Sequence, residues 1–220
     1  MRIPPPPIGW YEQQAWAANN LVCGLDEVGR GCLAGPLVTA AVVLPPHCDY
    51  PLKDSKKISE KAREQAYAWL VRHAQYAIAH ADHAMILEHN IYQATLRAMR
   101  HACLLLHAKH ASLFARVQTV VVDAMPLVLP ASLAAIPVAS FIKGEDHSPS
   151  IAAASIIAKV TRDRLMRRMQ PLFPRYHFAK DKAYATATHS ALLTTHAATL
   201  IHRAGFVRTL RANAALKETV

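Results

Sequence analysis

Four acidic residues occupy positions where the sequence changes from an apolar run to a glycine or a polar loop. Asp26 and Glu27 follow the apolar run LVCGL, and Asp123 directly follows three valines. Glu145 comes after another short apolar run and just before an alanine-rich segment. Burying such charges costs on the order of several kcal/mol unless a cation or hydrogen bonds compensate. We therefore expect the four carboxylates to share a cation site.

Carboxylate oxygens are the ligands that Mg²⁺ and Mn²⁺ prefer in proteins. Two such ions about 4 Å apart can activate a water molecule and stabilise the departing oxygen of a phosphodiester. Any one acid taken alone is better explained as a helix cap or as the partner of an arginine or lysine, but the shared position at strand ends favours a metal site. Spacing alone does not distinguish Glu145 from its competitors Asp146 and Asp163.

The adjacent acids Asp26 and Glu27 place a condition on the strand that carries them. Neighbouring residues of a regular strand point to opposite faces, so both side chains reach one site only if the strand ends or bulges at Asp26. Gly24 and Gly29 would allow such a distortion.

The charge balance indicates a polyanionic partner. The chain carries 25 lysines and arginines against 15 acidic residues, a formal net charge of +10, and its 13 histidines can add charge beside a polyanion. Nucleic acid is the natural partner for such a surface. The alternative, that the surplus only keeps the protein in solution, stays open at this level.

Length and composition predict a globular protein. The 220 residues are 52% hydrophobic and 18% charged, which is enough to bury a sizeable core. We predict a single domain over residues 21–220, preceded by an N-terminal arm or peripheral segment over residues 1–20. Residues 4–7 of that arm are prolines and favour an extended conformation.

The N-terminal sequence, the apolar runs and the cysteines indicate the cellular compartment of the protein. The N-terminus does not resemble a secretory signal, and no apolar run is long enough to cross a bilayer. None of the cysteines has the spacing of a zinc site; they are Cys23, Cys32, Cys48 and Cys103. We expect reduced thiols in a cytoplasmic protein without membrane contact.

Strand-like and helix-like segments alternate along the chain. Strands are predicted at residues 21–25, 37–44, 76–81, 117–122 and 137–142. Helices are predicted at residues 59–73, 90–109, 148–169, 187–196 and 206–215, with a short helix or loop at 11–20 and a loop at 177–184. This pattern predicts an α/β fold whose central sheet is covered by helices on both sides, with a helical C-terminal part.

Five blocks of the sequence closely resemble the ribonuclease HII family. They are GLDEVGRGCLAGPLVTAAVVL at 24–44, DSKKIS at 54–59, NIYQATLRAM at 90–99, VVVDAM at 120–125 and IKGEDHSPSIAAASIIAKVTRDRLM at 142–166. The resemblance implies a ribonuclease H-like fold with a mixed sheet, and a monomeric two-metal endonuclease that uses Mg²⁺ or Mn²⁺. It further implies cleavage of RNA/DNA hybrids and of duplex DNA containing single ribonucleotides, with 5′-phosphate and 3′-hydroxyl products.

The resemblance assigns roles to the four acids. Matched by position, Asp26, Glu27 and Asp123 correspond to the family's first three catalytic, metal-binding acids. Glu145 falls where many members have Asp, although the related ribonuclease HIII uses Glu there. The extra methylene could change the metal spacing or the preference between Mg²⁺ and Mn²⁺.

The resemblance also implies contacts with the substrate. Gly29, Arg30 and Gly31 match the element that reads the ribose 2′-hydroxyl, the group that distinguishes RNA from DNA. Tyr184 matches a tyrosine that stacks on the sugar beside the junction. The family usually has glycine where this chain has Ala183, so we expect the local backbone to differ.

Basic residues supply candidate phosphate contacts. Lys56 is the preferred candidate, ahead of Lys57, Lys143, Lys159 and Arg162. No role is assigned to the histidines, among which we considered His177, His189 and His202.

Two other kinds of function stay open. A non-catalytic nucleic-acid-binding protein is disfavoured, because acids facing phosphates would weaken a pure binder. A nuclease of the same fold could instead act on a DNA junction, or on hybrids without the single-ribonucleotide activity. The departures at Glu145 and Ala183 keep this alternative open.

Overall fold

A mixed five-stranded sheet forms the centre of the computed structural model, which describes residues 6–218. Its strands are β1 (Leu21–Val28), β2 (Leu37–Val43), β3 (Gln75–Ala81), β4 (Val117–Asp123) and β5 (Val138–Phe141). The order across the sheet is β3-β2-β1-β4-β5. Strands β1, β4 and β5 run parallel, while β2 is antiparallel to β1 and to β3. The carboxyl ends of β1 and β4 therefore meet at one edge of the sheet.

Helices cover both faces of this sheet and form the C-terminal part. They are α1 (Trp10–Ala17), α2 (Glu60–His73), α3 (His83–Lys109), α4 (Ala111–Phe114), α5 (Gly144–His147), α6 (Pro149–Met169), α7 (Phe178–Asp181), α8 (Ala187–Thr195) and α9 (Ala204–Glu218). The predicted α/β architecture is confirmed. Within residues 6–218, no helix is both long and apolar enough to cross a bilayer.

The start of helix α3 differs from the prediction for a local reason. Helix α3 begins at His83 and is interrupted at Asn90, whose φ of 62° and ψ of 165° are not helical. The Asn90 carboxamide oxygen accepts from the backbone N–H groups of Tyr92 and Gln93 at 3.0 and 3.1 Å. It therefore caps the second helical piece, which explains why the sequence pattern places a helix start there. In the predicted loop at residues 177–184, the short helix α7 forms.

Helix α6 crosses the sheet at very close range. A Cβ placed on Gly24 would lie 2.2 Å from the backbone carbon and oxygen of Ser150, so glycine is required there. The alanines at positions 152–154 are fully buried, which is consistent with the predicted close helix-to-sheet packing. On the opposite face, residues of α3 such as Met99 and Leu106 complete the core against β1 and β4.

The segment before β1 packs on the body of the fold. On α1, the Glu12 carboxylate is buried and accepts from the Ser148 hydroxyl and from the Ser150 backbone N–H at 3.1 Å. Glu12 thereby satisfies one backbone donor, the Ser150 N–H, at the start of α6. Part of the predicted extended proline arm lies outside the described residues, and the division of the chain at residue 20 stays a prediction.

Candidate active site

Asp26 and Asp123 lie on the same side of the sheet. Because side chains alternate along a strand, Asp26 shares a face of β1 with Val22, and Asp123 shares a face of β4 with Val121. Val22 and Val121 pack together with Ile151 of α6 in one buried cluster. The parallel register of β1 and β4 places the two acids level with each other. The sheet thus brings two acids 97 positions apart in the sequence to one edge.

Glu27 reaches the same edge in a different way from the one expected. β1 continues in regular register with β2 through Val28, so the expected strand end or bulge at Asp26 is wrong. The irregularity of β1 lies instead at its first two residues, in the pairing with β4. Glu27 therefore starts from the opposite face to Asp26. Its carboxylate still interacts electrostatically with Asp123, since both stand near the ends of their strands.

The loop after β5 brings Glu145 to this edge. The backbone N–H of Gly144 donates to Asp123 Oδ1 at 2.9 Å, which joins the start of α5 to the end of β4. Glu145 follows directly, and its side chain is only 6% exposed. Its Oε1 accepts a hydrogen bond from Lys56 Nζ at 3.0 Å. All four predicted acids are therefore gathered around the carboxyl ends of β1 and β4.

Burial and mutual repulsion make ionisation of these acids unfavourable. Burial raises the pKa of Asp26 well above its ordinary value, and the charges of Glu27 and Glu145 raise it further. Burial likewise raises the pKa of Glu27 to about 7, although Arg30 acts in the opposite direction. The pKa of Glu145 is raised by burial and by its contact with Asp123. A cation at this edge would stabilise the ionised forms of all these groups.

The donor set fits a hard divalent cation. In the part of the chain that the structure describes, Asp26 Oδ2, Glu27 Oε2 and Glu145 Oε2 are buried without a hydrogen-bond partner. Within the same residues, no three acidic, histidine or cysteine side chains stand close enough to hold a metal ion as they are placed, so cation binding requires the carboxylates to move closer together. In this structure, the positive charge beside Glu145 is supplied by the Lys56 ammonium. Buried carboxylate oxygens without partners require compensation by positive charge, which a divalent cation at this edge would supply.

The raised pKa of Glu27 predicts how a divalent cation should stabilise the protein as the pH changes. Between its ordinary pKa of 4.5 and about 7, the folded protein holds this proton more tightly than the unfolded chain. The stability of the metal-free protein therefore falls as the pH rises through this window. Because a bound cation competes with the proton, Mn²⁺ should raise the melting temperature more at about pH 8 than at about pH 6.

Thermal unfolding with and without Mn²⁺ at the two pH values tests this expectation. In the Glu27→Gln variant, the difference between the two pH values should shrink, because the titrating group is gone. An equal rise at both pH values in the wild type would count against Glu27 as a metal ligand.

The two rival acids are engaged elsewhere. The Asp146 carboxylate accepts from Lys57 Nζ at 2.7 Å, and this pairing lowers the pKa of Asp146. The Asp163 carboxylate accepts from Lys159 Nζ at 2.8 Å, one turn away on α6. Glu145 is also paired with a lysine, but it contacts Asp123 and keeps Oε2 buried without a partner among the described residues, which favours it over both rivals as the fourth acid.

The loop at residues 29–31 follows β1 directly. Gly29 has a φ of 100°, and a Cβ there would lie 2.3 Å from Arg162 Nε, so this position needs glycine. Apart from Gly31 and its two chain neighbours, no atom of the described residues lies within 4 Å of a Cβ built on Gly31. Arg30 is exposed, and its guanidinium lies 3.4 Å from Glu27 Oε1. The backbone of this loop can therefore approach a ligand closely, next to the acids.

Tyr184 lies across from this loop and pairs with Cys32 in an isolated antiparallel bridge. Tyr184 is 38% exposed, and the Lys159 ammonium lies 5.5 Å from the centroid of its ring. Ala183, before it, is fully buried and has a φ of 65°, a conformation that favours glycine. The backbone thus adopts a glycine-like conformation at Ala183, at a cost of about 1 to 2 kcal/mol for a residue with a Cβ.

A cavity of about 540 Å³ connects these features. Its lining includes Glu27, Gly29, Arg30, Ser55, Lys56, Arg63, Lys159 and Tyr184. Lys56 is exposed at the cavity, as a phosphate contact requires. Arg162 is not available for that role, because its guanidinium is fully buried and donates to the backbone oxygens of Pro36, Lys182 and Ala34. The sequence-based suggestion that Arg162 contacts phosphate is therefore wrong.

The sequence analysis missed Arg203. This side chain is 1% exposed and donates to the backbone oxygens of Arg30 at 2.9 Å and Gly35 at 3.1 Å. It therefore holds both ends of the glycine-rich loop. No sequence signal points to it, since an arginine ordinarily lies at the surface.

Solved structures with the same fold are ribonucleases H. The ribonuclease H2 from Pyrococcus horikoshii OT3 aligns with a TM-score of 0.68 at 24% identity, over 88% of this chain and 98% of that one. A ribonuclease HIII, Bst-RNase HIII in complex with Mn²⁺, aligns with a TM-score of 0.65 at 20% identity, over 94% of this chain and 68% of that one. The chain therefore has a ribonuclease H-like fold.

Sequence comparison identifies the family. The family model for ribonuclease HII matches residues 23–210. The ribonuclease HII of Levilactobacillus brevis is 44% identical over 198 residues, covering 89% of this chain and 72% of that protein. The ribonuclease HII of Lacticaseibacillus paracasei is 44% identical over 199 residues, covering 89% and 73%.

Fold and relatives together define the class of protein as a metal-dependent endoribonuclease of the ribonuclease H type. Within that class, the chain belongs to the ribonuclease HII family.

Proposed function

We propose that this protein hydrolyses the RNA strand of RNA/DNA hybrids and also cuts at single ribonucleotides embedded in duplex DNA, leaving 5′-phosphate and 3′-hydroxyl ends. The observation that carries the proposal is the position of the acids. Asp26, Glu27 and Glu145, which have unpartnered buried oxygens among the described residues, adjoin the loop that begins at Gly29. The proposed cation ligands therefore lie at the same edge of the sheet as a glycine loop whose backbone a nucleic acid can approach closely.

The four acids Asp26, Glu27, Asp123 and Glu145 would hold two divalent cations. Bound there, Mg²⁺ or Mn²⁺ would supply activation of the attacking water and stabilisation of the leaving 3′-oxygen. The Mn²⁺ complex of the ribonuclease HIII with the same fold supports Mn²⁺ as one of the candidates.

The protein's own groups would orient the nucleic acid around this edge. The Gly144 N–H holds Asp123 in place through its 2.9 Å hydrogen bond. Lys56, whose side chain is 68% exposed, can turn from Glu145 towards a substrate phosphate. The backbone at Gly29 can contact a ribose 2′-hydroxyl, and the exposed face of Tyr184 can stack on the neighbouring sugar.

The experiment that tests the proposal compares three substrates with Mg²⁺ or Mn²⁺. They are a DNA duplex with one ribonucleotide, a long RNA/DNA hybrid and an all-DNA duplex. We expect cleavage of the first two, a 5′-phosphate on the product, and no cleavage of the third. If the folded protein leaves the single-ribonucleotide duplex intact while cutting the hybrid, the substrate assignment is too broad.

This last outcome corresponds to a second candidate function, a hybrid-only nuclease. The observation that favours it is the steric cost of a Cβ in the left-handed backbone of Ala183, φ 65°, directly before the residue proposed to contact the junction. A small displacement of Tyr184 would affect the single-ribonucleotide substrate most, because that substrate offers only one 2′-hydroxyl for recognition.

Truncating Tyr184 should weaken cleavage at the single ribonucleotide. We expect Tyr184→Ala to lower kcat/KM by about tenfold to a hundredfold, because base or sugar stacking on an aromatic face contributes about 1 to 3 kcal/mol. Steady-state kinetics on the single-ribonucleotide duplex measure this. Tyr184→Phe is the matched control and should stay within about threefold of the wild type, since the stacking face is kept. Equal losses of kcat/KM in both variants would show that Tyr184 does not act by stacking on the substrate.

We further propose that the enzyme acts as a cytoplasmic monomer. The absence of a membrane-spanning helix within residues 6–218 is consistent with this setting. A ribonuclease HII from Archaeoglobus fulgidus with the same fold, at a TM-score of 0.63, is solved as a complex with PCNA.

Size-exclusion chromatography with light scattering measures the molar mass of the protein in solution and so tests whether it is a monomer.

A further inference from the structure

Two buried histidines lie directly behind Tyr184. His189 of α8 is fully buried, and His202, just before α9, is 4% exposed. Their imidazole Nε2 atoms are 3.1 Å apart. The rings of Tyr176 and Phe178 pack against them, with centroid distances of 4.6 Å from Tyr176 to His202 and 5.7 Å from Phe178 to His189. The pair is outside the acid site, and the proposed reaction does not use it.

The neighbours of the pair determine where its protons are. The backbone N–H of Thr199 lies 2.9 Å from His202 Nδ1, and because that N–H can only donate, Nδ1 must accept. A neutral His202 then carries its proton on Nε2 and donates it to His189 Nε2. His189 in turn carries its proton on Nδ1, which donates to the backbone oxygen of Tyr184 at 3.1 Å. The chain of hydrogen bonds runs in one direction, from Thr199 to Tyr184.

Both rings are suited to remain neutral. Burial lowers the pKa of His202 to about 4, with a further contribution from the neighbouring His189, and burial also lowers the pKa of His189. A second proton on either ring would place two N–H groups against each other, or against the Thr199 donor. The neutral tautomers above are therefore the arrangement that satisfies every ring nitrogen.

The backbone around Tyr184 needs such support. Lys182 and Ala183 both have left-handed backbone conformations, with φ of 54° and 65°. The Tyr184 ring itself is exposed, so packing fixes it less than it fixes a core residue. The Tyr184 carbonyl accepts from the Thr186 backbone N–H at 2.8 Å within the same turn. The His189 Nδ1–H is a second donor to this carbonyl, and it further limits rotation of the peptide between Tyr184 and Ala185. It connects the exposed tyrosine to the buried cluster formed by Tyr176, Phe178 and the two histidines.

We propose that His189 and His202 are positioning residues that hold Tyr184 in its orientation towards the substrate, through a directional pair of imidazoles anchored on Thr199. This inference rests on the proposed contact between Tyr184 and the sugar beside the junction. It gives a role in substrate binding to two histidines that are buried outside the acid site.

Two substitutions at His189 separate positioning from simple core packing. Asn places its amide N–H₂ where Nδ1 stands, so His189→Asn can keep the donor to the Tyr184 carbonyl. Gln places its polar group near the position of Nε2, so His189→Gln loses that donor while keeping a partner for His202. We expect His189→Gln to raise KM for the single-ribonucleotide duplex by about tenfold with kcat little changed. His189→Asn should recover most of that loss.

A double-mutant cycle with Tyr184→Ala supplies the control. In the Tyr184→Ala background, His189→Gln and His189→Asn should give the same KM, because the positioned ring is gone. The melting temperatures of the two histidine variants show whether they are comparably folded. Equal KM changes from Gln and Asn in the wild-type background, or an undiminished Gln effect in the Tyr184→Ala background, would overturn the positioning role.

Nitrogen NMR of the wild-type protein tests the hydrogen-bond chain without reference to activity. We expect the Nε2–H tautomer for His202 and the Nδ1–H tautomer for His189. The opposite tautomers would overturn the chain itself. If the tautomers are as expected but Tyr184→Ala leaves KM unchanged, the proposed substrate contact of Tyr184 fails, and with it the functional part of the inference.

Discussion

Replacing Asp123 with Asn should lower the rate of hybrid cleavage by at least about a thousandfold, while the affinity for the hybrid stays within about threefold of the wild type. Asn keeps the size of the side chain and an oxygen that can accept from Gly144. It removes a negative charge from the edge where Asp26, Glu27 and Glu145 also converge. Single-turnover cleavage and filter binding measure the two quantities separately.

Asp146→Asn is the matched control for this prediction. The Asp146 carboxylate is paired with Lys57 and is 34% exposed, so its loss should change cleavage by less than about twofold. Glu145→Gln, one position earlier, should behave like Asp123→Asn. If Asp146→Asn were the damaging change and Glu145→Gln the harmless one, the fourth acid would be Asp146. Unchanged cleavage in Asp123→Asn would remove Asp123 from the mechanism.

Gly24→Ala should destabilise the fold by about 3 kcal/mol or more. The new Cβ would lie 2.2 Å from the Ser150 backbone carbon and oxygen and 2.6 Å from the Ile151 backbone nitrogen. Because these atoms are backbone, no rotamer change relieves the overlap, and α6 itself must move away from β1. Urea unfolding followed by circular dichroism measures the loss.

Gly31→Ala is the control at a glycine of the same block. Beyond its chain neighbours, a Cβ there meets no atom of residues 6–218 within 4 Å, so the free energy of unfolding should change by no more than about 0.5 kcal/mol. A destabilisation of Gly24→Ala as small as that of Gly31→Ala would show that α6 does not pack on β1 at this distance.

Much of the fold could be predicted because its signals are local. The three valines before Asp123 and the apolar run before Asp26 mark strands that end in acids, and a parallel arrangement brings such ends together. Asn90 illustrates a boundary that local signals obscure. It caps the second piece of α3, so the pattern begins there, whereas the first piece starts seven residues earlier at His83.

The geometry around Glu27 could not be predicted in the same way. Side chains alternate between the two faces of a strand, so two adjacent acids are expected to share a site only where the strand is distorted. The sequence therefore predicts an irregularity at Asp26. The strand is regular through Val28, so Gly24 does not serve to distort it. Gly24 is needed because α6 packs closely on β1 at this position. Which atoms a glycine faces depends on tertiary packing, which no local pattern contains.

The supporting residues of the site were also beyond reach of sequence patterns. Arg162 and Arg203 donate to backbone oxygens, including those of Ala34 and Arg30, and backbone oxygens carry no residue-type signal. His189 and His202 meet only because α8 and the segment before α9 fold together. Their tautomers follow from partners that only the structure reveals.

Direct titration with Mn²⁺ tests most simply whether these carboxylates hold divalent cations together. Isothermal calorimetry at about pH 8 should show binding to the wild type that is weakened at least about tenfold by Asp26→Asn and by Asp123→Asn, with both variants still folded. Binding to the wild type that neither substitution weakens would place the metal elsewhere and contradict the assignment of this edge as the active site.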